Sequence, residues 1–135
     1  MSKPREDYFP NAVWTIRNYP ARLEEYKELH RQEMSFRMSG VPGNGDISRT
    51  VESIALRQMA PMKQAEYEAV TKAISVTKML PDGDLRVELI RRMYWGKKKV
   101  AMKNIFPALY IAEATATRWH GAFVRLVAEF MGYVK

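Results

Sequence analysis

Apolar positions in the last third of the chain repeat the spacing of a helix-turn-helix. Ile105 and Leu109 lie four residues apart on a first helix, Ile111 falls in a turn, and Ala116 and Trp119 lie on the inner face of a second helix. Two helices that cross at a steep angle need a few inward residues at fixed offsets, which leaves the first turns of the second helix free to enter a DNA major groove. The unit is expected over about residues 100–133.

On this template the second helix begins at about residue 112, and several residues of its first two turns face outward. Those predicted to contact DNA bases are Glu113, Ala114, Thr117 and Arg118. A guanidinium can bind guanine through two hydrogen bonds, a carboxylate can accept one from the cytosine amino group, and a hydroxyl can bind a base or a phosphate. Small helical bundles that only pack a core show the same spacing, so the pattern alone leaves both interpretations open.

Proline and glycine divide the rest of the chain into an N-terminal helical arm, a linker and a body. The arm covers residues 1–38, and Pro20 is expected to separate two short helical segments, the first capped by Asn11. Residues 39–48 contain three glycines and one proline and almost nothing apolar, which is typical of a linker. The body covers residues 49–135, with the helix-turn-helix at its end.

Helical spacing also runs through the body. Pro61 interrupts an apolar pattern over residues 49–80, which predicts either a kink or two abutting helices. Another helix, which carries Leu85, is expected to start from a cap at Asp84 and to end at Trp95 and Gly96. The last helix is expected to continue to residue 132, its second half packing against the helix of Leu85 or mediating association. No strand pattern of comparable strength occurs, so the sequence predicts an all-α fold, a small helical bundle.

Composition narrows the classes of function. The 135 residues include no cysteine and two histidines, His30 and His120, which lie far apart in the chain. Thiolate zinc sites and disulfides are therefore ruled out, and no nucleophile, base and orienting group stand at catalytic spacing. We expect no enzyme activity, no metal and no cofactor. No apolar run approaches the roughly 20 residues that span a bilayer, and the first residues are polar, which predicts a soluble cytoplasmic protein without a membrane partner.

The net charge of +7 is concentrated in the second half of the chain. Residues 1–84 contain 12 Lys and Arg against 12 Asp and Glu, whereas residues 85–135 contain 10 against 3. The excess coincides with the helix-turn-helix spacing and favours binding to phosphates. The residues predicted to contact the DNA backbone are Lys97, Lys98, Lys99, Lys103 and His120. Double-stranded DNA is accordingly the expected partner.

Several segments resemble the RinA and ArpU type transcriptional regulators of phages, whose C-terminal halves look like region 4 of sigma factors. The resemblance rests on residues 50–56 (TVESIAL), on the Leu80-Pro81 turn followed by residues 89–95 (LIRRMYW), on residues 113–119 (EATATRW) and on residues 127–133 (VAEFMGY). It covers the chain from about residue 48 to the end. It implies a small helical protein of a phage or prophage that binds a promoter and activates late genes in a bacterial host.

Two positions depart from the pattern of that family. Ala112 stands where a serine usually caps the recognition helix, so one helix amide loses its customary partner. Phe106 and Pro107 replace the small residue and the regular helix expected in the first helix, and Pro107 either bends that helix or shifts its start.

Other binding functions remain as alternatives. A phage small terminase subunit also has a helix-turn-helix and a basic surface, although that class usually places the DNA-binding unit at the N-terminus. A helical adaptor that contacts host RNA polymerase, without reading bases itself, is the other alternative. Trp14, Tyr19 and Tyr26 give the arm an aromatic surface to bury, which favours a homodimer.

Overall fold

Six α-helices and one π-helical turn make up most of the described chain. The computed structural model describes residues 5–38, 47–98 and 100–134. The elements are α1 (Arg5–Met38), α2 (Ile47–Gln58), α3 (Pro61–Lys78), α4 (Gly83–Ile90), the π-helical turn (Arg91–Trp95), α5 (Met102–Ile105) and α6 (Glu113–Met131). No strand occurs within the three described ranges, so the predicted all-α helical bundle is confirmed.

Helix α1 runs without a break through Pro20, and the predicted division at this residue is wrong. Proline has no amide hydrogen, so the carbonyl of Ile16, four residues earlier, cannot accept the regular helical bond. The indole Nε1 of Trp95 donates to that carbonyl over 2.8 Å instead. A side chain of the π-helical turn therefore supplies the donor that Pro20 lacks, so the Ile16 carbonyl is satisfied within the continuous helix. Asn11, predicted as a cap, lies inside the helix, where its carbonyl accepts a bond from the Thr15 hydroxyl.

The helix of the predicted arm packs along the body. Tyr8, Ala12 and Ile16 follow one another at intervals of four and are buried, as expected for one face of a helix. They belong to a group that we call the first core, whose other buried members are Val70, Ala73, Ile90, Phe123, Val124, Val127, Ala128 and Val134. Residues 39–46 of the predicted linker lie outside the described residues, so the boundary between arm and body stays a prediction.

Polar and aromatic contacts join α1 to α3. The guanidinium Nε of Arg22 lies 2.7 Å from a carboxylate oxygen of the buried Glu66. Tyr19 and Tyr26 both stack on Tyr67, with ring centroids 6.0 and 4.7 Å away. Two of the three aromatic residues cited for self-association are therefore used within the chain, whereas Trp14 is 63% exposed.

Two helices, α2 and α3, meet at Pro61, which is one of the two predicted outcomes. Pro61 is the first residue of α3, where the missing amide hydrogen costs nothing because the first amides of a helix have no helical partner.

The predicted cap of α4 is wrong, since Asp82 precedes the helix with a φ of 58° and Asp84 lies in its first turn. Between them, Gly83 approaches α3 so closely that a Cβ would lie 2.4 Å from the carbonyl oxygen of Lys78. Glycine is required at this turn.

Helix α6 is shared between two cores. Its second half contributes Phe123 and Val127 to the first core, together with α1 and α3. Its first half contributes Ala116 and Trp119 to the second core, whose other buried members are Leu89 and Ile105. Both halves of α6 pack on the predicted helix of Leu85, the first half through Leu89 and the second half through Ile90, which belongs to the first core with Phe123 and Val127. The predicted packing of the second half on that helix is therefore confirmed.

The bond between Trp95 and Ile16 can be tested with a double-mutant cycle. Trp95→Phe is expected to lower the free energy of unfolding by about 2–3 kcal/mol, because it removes buried area and leaves a buried carbonyl without its donor. In a Pro20→Ala background the new amide can bind that carbonyl, so the same change should cost about 1 kcal/mol less. Urea unfolding measures both costs. Equal costs in the two backgrounds would contradict the role of the indole.

Candidate nucleic-acid interface

The second core gathers the inner positions of the predicted helix-turn-helix. Ile105, Ala116 and Trp119 are buried in it, and Leu109 and Ile111 pack against it half-buried. The spacing therefore identified the inward residues correctly. Because α4 contributes Leu89 and Leu85 to the same core, the first half of α6 is held from behind by α4, α5 and the turn between α5 and α6.

The first helix of the unit is shorter than predicted. Helix α5 ends at Ile105, so Leu109 lies in the following turn. Pro107 has no amide hydrogen to continue the helical ladder, which explains the early end. One further helical turn follows, because the amide of Leu109 donates to the carbonyl of Ile105, four residues earlier, over 3.1 Å. A compact pair of turns takes the place of a regular helix.

The start of α6 projects its predicted base-contacting residues into solvent. Glu113, Ala114, Thr117 and Arg118 are all exposed. Ala112 is the N-terminal cap position and makes no side-chain cap bond, so the first amides of α6 lack this partner. The Thr117 hydroxyl makes a weak hydrogen bond over 3.8 Å to the sulfur of Met102 in α5.

Three of the lysines predicted to contact the DNA backbone are exposed. They are Lys97, Lys98 and Lys103, whereas Lys99 lies outside the described residues. Within the described part of the chain, neither these three side chains nor Arg118 forms an ion pair. Their positive charges are therefore not neutralised by a neighbouring carboxylate in those ranges.

Two further cations were missed by sequence reasoning. Arg91 and Arg92 line an open cleft of about 270 Å³ together with Lys97, Lys98 and Asn104. Asn104 lies on α5, so the cleft adjoins the helix that contacts Thr117. The two arginines could be recognised as basic from the sequence, but the π-helical turn that directs them to this cleft leaves no clear signal in residue spacing.

Glu88 is the counter-charge of this cleft. Its carboxylate accepts from Nε of Arg91 over 2.8 Å and from Nε of Arg92 over 2.9 Å. These hydrogen bonds, with that from Arg91 the largest influence, lower the pKa of Glu88 to about 2. The carboxylate thus stays charged at neutral pH and holds both guanidinium groups in place, since it lies three and four residues before them on the helical surface.

His120 is not at the surface, and its prediction as a backbone contact is wrong. The residue is buried, with Nε2 2.6 Å from the Tyr94 hydroxyl and with the ring of Phe9 edge-on at 5.7 Å. It directly follows Trp119 on α6, and the turn of the helix carries it inward to the π-helical turn and α1. Trp119 itself has the guanidinium of Arg86 5.1 Å from the centre of its ring.

No protein-family model, curated protein or solved structure matches this chain. In the ranges that the structure describes, no group of three or more His, Cys, Asp or Glu side chains is placed to hold a metal ion. None of the helices in those ranges has both the length and the apolar character needed to cross a bilayer. The exposed start of α6 and the basic cleft that adjoins α5 are the two surface features that suit a binding function.

The role of Glu88 predicts a pH-dependent loss of stability. A carboxyl with a lowered pKa stabilises the fold above its ordinary pKa of 4.5, and this contribution disappears as the pH falls towards 2. Because the pair is partly exposed, Glu88→Gln is expected to cost only about 1 kcal/mol at pH 7. The difference from the wild type should shrink as the pH falls below 4.5 and disappear only below about pH 2, where the carboxyl is protonated in the folded state as well.

Urea unfolding of both proteins across this pH range measures the effect. Glu24→Gln is the matched control, since that side chain is 78% exposed and lies 4.0 Å from Lys27. Its substitution should change the free energy of unfolding by less than about 0.3 kcal/mol at pH 7. A Glu88→Gln cost that is the same at pH 7 and pH 2 would contradict the ion pairs.

Proposed function

We propose that this chain is a sequence-specific, double-stranded DNA-binding regulator of transcription that reads the major groove with the start of α6. The observation that carries the proposal is the division of this helix into two faces. Ala116 and Trp119 anchor one face in the second core, while Thr117 and Arg118 stand exposed on the other. A helix held from behind with its first turns exposed has the form that fits a major groove.

The exposed side chains suit base recognition. Arg118 can bind the two acceptors of guanine, and Glu113 can accept from the amino group of cytosine. Thr117 can bind a base or a phosphate, and Ala114 leaves room for a thymine methyl group. The first amides of α6 lack a cap at Ala112, so they and the positive end of the helix dipole favour a nearby phosphate.

The charge distribution supports the proposal independently. Residues 85–135 carry 10 basic and 3 acidic side chains. Lys97, Lys98 and Lys103 are exposed, and Lys97 and Lys98 share a cleft with Arg91, Arg92 and Asn104 of α5. Such side chains bind phosphates without regard to sequence and fix the register of the protein on the duplex. Glu88 offsets part of the charge in the cleft, so the lysines and Arg118 are the main electrostatic contacts.

The resemblance to RinA and ArpU type regulators gives the proposal its biological form. A protein of that type would bind a promoter in a bacterial cell and activate the late genes of a phage, with host RNA polymerase as a second partner. We propose no catalytic activity and no cofactor for this site, because its exposed side chains are suited to contacts with bases and phosphates.

Arg118→Ala tests the base-reading role. Duplexes selected from a randomised pool by the wild-type protein provide the specific site, and a scrambled duplex provides the reference. The variant is expected to lose about tenfold to a hundredfold in affinity for the selected site and much less for the scrambled one, since one good base contact contributes about 1–3 kcal/mol. Fluorescence anisotropy measures both affinities.

Arg31→Ala is the control for the loss of one positive charge, since Arg31 is exposed on α1 and pairs there with Glu28. It should leave the preference for the selected site unchanged. An Arg118→Ala variant that keeps the full preference would refute the assignment of α6. A wild-type protein that selects no duplex would refute sequence-specific binding altogether and favour the adaptor alternative.

The lysines test the backbone contacts. Replacing Lys97 and Lys98 by Gln is expected to weaken binding to all duplexes alike and to reduce the slope of log Kd against log salt by about 2, because each phosphate contact releases about one counterion. The same double change at Lys72 and Lys78, two exposed residues of α3, alters the net charge equally. If both pairs reduce the slope to the same extent, net charge rather than the site accounts for binding.

A further inference from the structure

The most exposed of the large hydrophobic side chains in the described ranges is also in a strained backbone conformation. Tyr110 is 96% exposed, and its φ of 59° lies in the left-handed region. Residues with a Cβ rarely adopt this region because the Cβ crowds the following carbonyl. Only one other residue that is not glycine does so among those described, namely Asp82, and aspartate tolerates this conformation better than tyrosine.

The strain at Tyr110 arises from a specific way of ending a helical turn. The amide of Ile111 donates to the carbonyl of Phe106, and the amide of Tyr110 donates to that of Pro107, each over 3.1 Å. This pair of bonds defines a Schellman motif, in which the residue at the position of Tyr110 is left-handed and is usually glycine. Phe106 and Ile111, the positions that pack together in such motifs, both contact the second core.

The same chain ends α6 with the same motif and a different residue. There the amide of Tyr133 donates to the carbonyl of Ala128, and the left-handed position with a φ of 81° is Gly132. The fold therefore needs no aromatic side chain to form this motif. At residue 110 a tyrosine occupies the strained position although its ring, almost fully exposed, contributes little to packing within the chain.

We infer that Tyr110 is a DNA contact, placed against the sugar–phosphate backbone at the edge of the groove that α6 enters. The inference rests on the proposed function. Tyr110 comes two residues before Ala112, the cap position of α6, so its ring stands at the end of the helix that carries Arg118. The phenol donates a hydrogen bond to a phosphate oxygen, and the ring covers the apolar face of a deoxyribose. Contacts of this kind position a protein on DNA without reading sequence.

Tyr110→Gly separates this role from a structural one. Glycine suits the left-handed position, and the relief of strain offsets its greater freedom in the unfolded chain, so the thermal midpoint should stay within about 3 °C of the wild type. Affinity for a random-sequence, fluorescein-labelled duplex of about 30 base pairs should fall about fivefold to tenfold. The slope of log Kd against log salt should not change, because no charge is lost.

Two further variants sharpen the test. Tyr110→Phe keeps the ring and the backbone strain but loses the hydroxyl, so its affinity should lie between those of the wild type and Tyr110→Gly. Met79→Ala removes another large side chain, 83% exposed, from the end of α3 and should leave binding unchanged. If the wild type binds the duplex and Tyr110→Gly binds it with equal affinity, the inference is overturned and the proposed function stands. Failure of the wild type to bind either this duplex or a selected one would overturn both.

Discussion

The hydrogen bond from the Trp95 indole to the carbonyl of Ile16 is the constraint on which the arrangement of the helices depends. Pro20 removes the regular donor for that carbonyl, and a helix would ordinarily bend or end there. The indole replaces the donor over 2.8 Å, and α1 continues past Pro20 to bring Arg22 and Tyr26 against α3. The bond also fixes the end of the π-helical turn. The chain leaves this turn at Gly96 and passes directly into the basic segment that begins at Lys97.

The sharing of α6 between two cores explains how a small bundle can present a rigid binding surface. The second half of the helix is buried among α1 and α3, which makes it part of the main framework. The first half has only a small core behind it, formed with α4 and α5, and its outer face is left exposed. A side chain such as Arg118 is thereby carried on a helix anchored two turns further along, an arrangement that limits the entropy lost when the surface binds a partner. Between the two halves, the buried His120 connects α6 to the π-helical turn through its hydrogen bond with the Tyr94 hydroxyl.

The sequence was informative where spacing alone determines which way a residue faces. Ile105, Ala116 and Trp119 were predicted inward and Thr117 and Arg118 outward, because helical periodicity and a short turn leave few other arrangements. The errors arose where a distant residue decides the outcome. Pro20 was expected to break α1, since nothing near it in sequence reveals that Trp95 would supply a donor. His120 adjoins an inward residue, and only the packing of α1 and the π-helical turn shows that it is buried as well.

Hydrogen exchange of the backbone amides, measured with and without a selected DNA duplex, shows whether the start of α6 is the surface that binds DNA. The amides at the start of α6 lack a cap at Ala112 and should exchange rapidly in the free protein. Recognition by the start of α6 predicts that DNA slows exchange over residues 110–118 and in the basic segment over residues 96–104, while exchange in α2 and α3 is unchanged. Protection confined to α2 and α3, or none at residues 110–118 when the duplex is bound, would contradict it.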